Sequence, residues 1–181
     1  MGPSQVYRTS LALLTDFYQL TMAAAAWKAG VAGKEAVFHL SFRKNPFEGG
    51  YAVAAGLEDA FDLLLHHAFT ADDLAFLAAQ VGSDGKPLFE PGFLDWLARL
   101  RLDVDVDAVP EGTVVFPREP ILRVRGPIVP CMRLETPLLA LVNFQTLVAT
   151  KAARIVLAAG GAPVVDFGLR RAQGLDGALS A

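Results

Sequence analysis

Apolar and polar residues alternate strictly over two stretches and recur at helical spacing over most of the rest. In residues 36–42, Phe38, Leu40 and Phe42 fall on one side and Val37, His39 and Ser41 on the other, which predicts a half-buried strand. Residues 103–109 read Asp-Val-Asp-Val-Asp-Ala-Val, the pattern of a strand with one wet face. Between them the period lengthens. Residues 57–66 carry the apolar stripe Leu57, Phe61, Leu64 and Leu65. Thr70, with Asp73 three residues on, predicts a capped helix over 71–80. Phe93, Trp96 and Leu97 face inward on a further helix over 92–100. The first helix is expected over 16–29, capped by Thr15 or Asp16 and stopped by Gly30. It is apolar nearly all round, as in a deep core or an interface.

Shorter strands are expected at 51–55, pairing with 36–42 as a hairpin across the turn-rich loop 43–50, and at 113–116 and 121–124. Residues 128–135 and 137–159 read as helices, with Thr136 and Pro137 restarting the second and Gly160-Gly161 ending it. Val164-Val165 then reads as the start of a buried parallel strand that ends in Asp166-Phe167-Gly168, and a glycine turn is expected at Asp176-Gly177. Residues 1–10 read as a loose leader without the shape of a signal peptide. The chain is thus of the α/β class, in three parts: an N-terminal α/β domain over 1–102, a β-rich module over 103–127, and connecting helices leading to a strand and loop over 128–181.

Composition narrows the classes. The chain has 181 residues, 53% of them apolar, and a mean hydropathy of +0.38, which predicts large faces covered by a partner or by further sequence. The most apolar stretch, 138–159, is broken by Asn143, Gln145, Lys151 and Arg154, so no transmembrane helix is expected. A net charge of −3 supplies no basic field for nucleic acid. The single cysteine, Cys131, excludes an internal disulfide and fits a reducing cytoplasm. Three histidines, His39, His66 and His67, are too poorly spaced for a zinc site, and no metal ligands are expected.

Candidate chemistry gathers at strand ends. Arg170 and Arg171 follow the carboxyl end of the 164–167 run, where α/β proteins place ligand groups. Paired guanidiniums suit phosphate because each presents a planar fork of donors. Arg43 and Lys44 leave the first strand into a Pro/Gly loop, as a phosphate clamp or as solvated edge charges. Tyr18 reads from spacing as core, Asp166 as an orienting carboxylate or a cap, and His39 as structural. Neither GxGxxG nor GxxxxGK[ST] occurs, and no Ser/His/Asp or Cys/His arrangement has a supporting context.

Several stretches together resemble nicotinate phosphoribosyltransferase. Residues 13–22, LLTDFYQLTM, are similar to that family's opening helix, and residues 42–47, FRKNPF, to its first strand and loop. Residues 135–139, ETPLL, with 143–147, NFQTL, and 149–154, ATKAAR, resemble its connecting helix. Residues 168–177, GLRRAQGLDG, resemble its first barrel strand and loop.

The resemblance implies an α+β N-terminal domain with a β-rich module, leading into an irregular and here incomplete α/β barrel of the type II phosphoribosyltransferase kind. It implies that nicotinate attacks C1 of phosphoribosyl pyrophosphate, giving nicotinate mononucleotide and pyrophosphate in NAD salvage. ATP hydrolysis is coupled to the step, and Mg2+ is required. It further implies a cytoplasmic homodimer with shared active sites. Tyr18 and Phe167 would stack on the pyridine ring, Arg170 would contact the phosphoribosyl group, and Arg43, Lys44 and Arg171 would hold phosphates. The family is more than twice this length, and its phosphorylated histidine is expected downstream, so no catalytic residue is assigned within these 181. The expectation is therefore an N-terminal fragment, inactive alone. Alternatives are a nicotinamide or quinolinate phosphoribosyltransferase, or a non-catalytic piece that binds a partner.

Overall fold

A computed structural model describes residues 10–181, and the elements follow the sequence periodicities closely. Of the leader, only Ser10 lies within the described residues; its hydroxyl donates to the Ala68 carbonyl at 2.7 Å. Helix α1, Phe17–Lys28, is followed by strand β1, Glu35–Leu40, a 3-10 turn, Pro46–Glu48, and strand β2, Ala52–Val53. Three helices come next: α2, Leu57–His66; α3, Ala71–Ala78; and α4, Pro91–Ala98. Strands β3, Asp105–Ala108, β4, Val114–Val115, and β5, Leu122–Pro127, lead into α5, Ile128–Arg133, and the long α6, Glu135–Ala158. A second 3-10 turn, Leu169–Arg171, and a short helix α7, Gly174–Ser180, end the chain. At α3 the capping box forms in full: Thr70 accepts from the Asp73 amide, and the Asp73 carboxylate accepts from the Thr70 amide.

The main sheet is antiparallel in the order β1-β5-β3. Alternation sets its sides. Leu122 and Val124 are buried, whereas Arg123 and Arg125 face water, opposite Asp107 and Glu35 at 2.6 and 3.0 Å. Val106 and Ala108 turn inward as the 103–109 pattern requires, and Asp105 and Asp107 turn out. The expected hairpin between β1 and β2 does not form. Instead β2 pairs with β4, with Ala52 opposite Val115, as a separate ribbon beneath α6. Strand β1 pairs with β5 over six residue pairs in register and stays at the edge of its sheet, while β2 is held elsewhere, by β4 and by α6.

Two apolar clusters flank α5. Cys131 and Leu134 join Ala54, Leu57, Leu63, Leu122 and Val142 on one side. Val129 and Met132 join Leu20, Leu77, Phe89, Phe93 and Leu97 on the other. Alpha-helix α6 then crosses both β2 and α2. Its length and apolar character would let it cross a membrane, alone in this among the described residues, but its polar side chains are engaged with this domain. Thr150 Oγ1 accepts from the Val53 amide at 2.9 Å and donates to the Thr146 carbonyl at 2.6 Å. Thr146 Oγ1 pairs with the backbone of Ala55 at 3.2 Å, and Gln145 donates to Asp59 at 2.5 Å. Gly56 brings α2 against α6, because it has φ +95° and a Cβ there would lie 2.8 Å from the Leu141 carbonyl oxygen.

The tail departs from expectation. Residues 164–167 form no strand, and Val165 and Phe167 are 69% and 81% exposed. A strand is completed by the amides and carbonyls of a neighbour, and no described residue offers that edge. Asp176-Gly177, expected as a turn, lies within α7.

Candidate functional site

The opening helix is fixed at its start by a polar cluster that spans the chain. Gln19 is wholly buried. Its Nε2 donates to Glu135 Oε2 at 3.1 Å, and its Oε1 accepts from Thr15 and from Thr136. Thr136 Oγ1 also lies 2.9 Å from Asp16 Oδ2. Thr136 is therefore not the cap expected for α6; it joins α6 to α1. With Gln19 held inward, Tyr18 points outward and is 50% exposed. Spacing alone suggested core; the structure instead leaves the ring available on the surface, beside Phe17, which meets Phe89 edge-on at 6.1 Å.

Arg43 and Lys44 are both exposed at the start of the loop between β1 and β2. A residue far along the chain organises that loop. Arg154, on α6, donates to the carbonyls of Pro46 and Phe47 at 3.2 Å and of Tyr51 at 3.1 Å. Its Cζ lies 5.7 Å from the Phe47 ring centroid and 5.4 Å from that of Tyr51, while Lys151 Nζ lies 5.1 Å from the Phe47 ring. Phe47 and Glu48 adopt φ of 56° and 53°, a region costly for side-chain-bearing residues. Gly49 has ordinary φ but no room for a Cβ, which would overlap the Arg154 guanidinium.

Phe167, Arg170 and Arg171 lie on and just before the second 3-10 turn, all exposed. Asp166 closes an Asx turn rather than capping a helix: its Oδ1 accepts from the Gly168 amide at 2.7 Å. Among the described residues, no carboxylate pairs with Arg43, Lys44, Arg170 or Arg171. Tyr18 stands apart on α1. Cavities of about 550 Å3, beside α6 and α7, and 610 Å3, between α2 and β3, include none of the six candidates. Among the described residues, no three His, Cys, Asp or Glu side chains cluster to hold a metal.

Sequence reasoning missed Arg154 and the Gln19 cluster. A signal for the first existed: Thr146, Thr150 and Arg154 are spaced four apart, one polar stripe on an apolar helix.

Residues 13–143 match the family model described as the nicotinate phosphoribosyltransferase (NAPRTase) N-terminal domain. The chain belongs to the nicotinate phosphoribosyltransferase family. It is 49% identical over 182 residues to nicotinate phosphoribosyltransferase 2 of Arabidopsis thaliana, covering 99% of this chain and 31% of that protein. To the Bacillus subtilis nicotinate phosphoribosyltransferase it is 44% identical, covering 94% of this chain and 34% of that one. The crystal structure of human nicotinic acid phosphoribosyltransferase superposes with a TM-score of 0.82 at 46% identity, over 92% of this chain and 33% of that chain. A nicotinate-nucleotide pyrophosphorylase from Pyrococcus furiosus, at 24% identity and a TM-score of 0.64, shares the fold. The chain thus spans about a third of the length of the curated relatives it matches, and the type II phosphoribosyltransferase fold expected from sequence is the one it has.

Proposed function

We propose that residues 1–181 supply the N-terminal third of an enzyme that makes nicotinate mononucleotide and pyrophosphate from nicotinate and phosphoribosyl pyrophosphate, with ATP hydrolysis. The observation that carries this reading is the match to nicotinate phosphoribosyltransferases along nearly the whole chain. The pyridine nitrogen attacks C1 of the ribose, and the bond from C1 to the pyrophosphate oxygen breaks. Negative charge grows on the departing pyrophosphate, and fixed cations stabilise it. Arg43, Lys44, Arg170 and Arg171 suit that work because their charges are not spent on carboxylates among the described residues. Tyr18 and Phe167 are exposed rings that suit stacking on the flat base. In this reading magnesium would arrive with the substrate phosphates and would share the charge of the leaving pyrophosphate with these cations. A homodimer would cover the apolar side chains Phe17, Tyr18 and Met22 that α1 exposes. The reading places the protein in the cytoplasm, with Cys131 reduced.

Steady-state turnover by the full-length protein tests this reading. Nicotinate should be used in preference to nicotinamide and quinolinate. Tyr18→Ala should raise the KM for nicotinate roughly three- to tenfold, the worth of one aromatic stack, with the melting temperature little changed. Preference for another base would overturn the substrate assignment. A large fall in melting temperature with an unchanged KM would return Tyr18 to a packing role.

A further inference from the structure

The loop from Arg43 to Gly50 is held in a shape it would not adopt alone. Two consecutive residues with side chains, Phe47 and Glu48, lie in the left-handed region. Such conformations persist where the surroundings impose them. What imposes them here is one guanidinium, reaching from a helix more than a hundred residues away. Arg154 ties together three carbonyls, those of Pro46, Phe47 and Tyr51, and lies against the rings of Phe47 and Tyr51. Gly49 leaves the space the guanidinium fills.

The choice of acceptors matters. Carbonyl oxygens satisfy the guanidinium without neutralising it. Among the described residues, no carboxylate pairs with Arg154, Lys151, Arg43 or Lys44. The loop and its seat on α6 therefore carry four cations, Arg43, Lys44, Lys151 and Arg154, against the single carboxylate of Glu48, and an anion is what such an excess of positive charge attracts. Left to itself, a loop carrying Arg43 and Lys44 would sample many paths and lose ordering entropy on binding. The lock on its second half removes that cost.

We infer that Arg154 is a positioning residue: it sets the path of the 43–50 loop so that Arg43 and Lys44 are presented as a preorganised clamp for the pyrophosphate group of phosphoribosyl pyrophosphate. This rests on the phosphoribosyl-transfer reading of Arg43 and Lys44 given above. A lysine at 154 cannot serve three carbonyls in one plane as the guanidinium fork does, so Arg154→Lys should preserve charge and lose much of the effect.

The test uses the full-length protein with Arg154→Met, Arg154→Lys and Gly49→Ala, the last displacing the guanidinium without removing it. Arg154→Met should raise the KM for phosphoribosyl pyrophosphate tenfold or more and change the KM for nicotinate less than twofold. Arg154→Lys should fall between Met and the unmodified protein, and Gly49→Ala should reproduce the direction of Arg154→Met. Trypsin reads the loop separately, by cleavage after Arg43 and Lys44. Inorganic pyrophosphate with magnesium should slow that cleavage in the unmodified protein and not in Arg154→Met. A phosphoribosyl pyrophosphate KM within twofold of normal in Arg154→Met overturns the inference. So does a uniform rise in both KM values together with a fall in melting temperature. If the unmodified protein makes no nicotinate mononucleotide yet pyrophosphate protects its loop in an Arg154-dependent way, the clamp stands and the assignment of the base fails. If pyrophosphate protects no loop in an active enzyme, the clamp fails and the assignment of the base stands.

Discussion

Burial has altered the chemistry of two adjacent groups that lie outside the candidate site. His67 is held down to about 4, first by desolvation and then by the neighbouring Arg133 charge. Burial also lowers Arg133, to about 10. The Arg133 guanidinium lies 4.4 Å over the Phe69 ring and donates to the Ala12 carbonyl, while its Nε and Nη1, and His67 Nδ1, have no hydrogen-bond partner among the described residues. The sign of the consequence follows. Unfolded, His67 takes up a proton below about 6.5; folded, it does so only near 4. Its contribution to stability is whole above pH 6.5 and is lost as pH falls toward 4, a change on the order of 3 kcal/mol. His67→Leu should therefore lose less stability between pH 7.5 and pH 4.5 than the unmodified protein. Urea unfolding of both at the two pH values measures the difference, and parallel losses would place the acid sensitivity elsewhere.

Helix α6 shows what a polar stripe on an apolar helix can do. Thr150 is fully buried, and its hydroxyl satisfies the Val53 amide in β2, a strand too short to hold itself. Thr150→Val keeps the shape and removes the acceptor. An unsatisfied buried amide should cost about 1–3 kcal/mol, read by chemical denaturation; a loss below about 0.3 kcal/mol would mean that β2 does not depend on α6. Much of this was legible beforehand. The 103–109 alternation, the Thr70-Asp73 capping box and the glycine stop after α1 are local signals, and each element formed within a few residues of its expected limits. Pairing was less legible. Strand β1 had two possible neighbours, and periodicity says which faces are apolar without saying which edge is taken. The strand expected at 164–167 failed for a related reason: its residues have strand composition, but strand structure belongs to pairs. Of the candidate cations, Arg43 and Lys44 follow strand β1 as expected, whereas the strand expected before Arg170 and Arg171 does not form. The residue that shapes the 43–50 loop lies more than a hundred positions away and is seen only once the helix is docked.

Taken whole, the molecule exposes apolar surface at the end of α6 and beyond it. Ile155, Val156 and Leu157 on α6, and Val165, Phe167, Leu169 and Leu175 beyond it, are 47% to 81% exposed. Phe167, Arg170 and Arg171 accordingly stand on a segment with nothing opposite them among the described residues. Residues 1–181 alone should make no nicotinate mononucleotide. Product formed by the purified piece and abolished by Arg170→Ala would show that the third suffices.

The pairing of β1 with β5 also bears on synthesis. Leu40 waits for Leu122, eighty-two positions later. At 5–20 residues per second a ribosome takes roughly 4–16 s to deliver that partner. For that interval residues 35–40 have no partner and cannot yet form their strand, and a chaperone that shields them would act before residue 122 emerges.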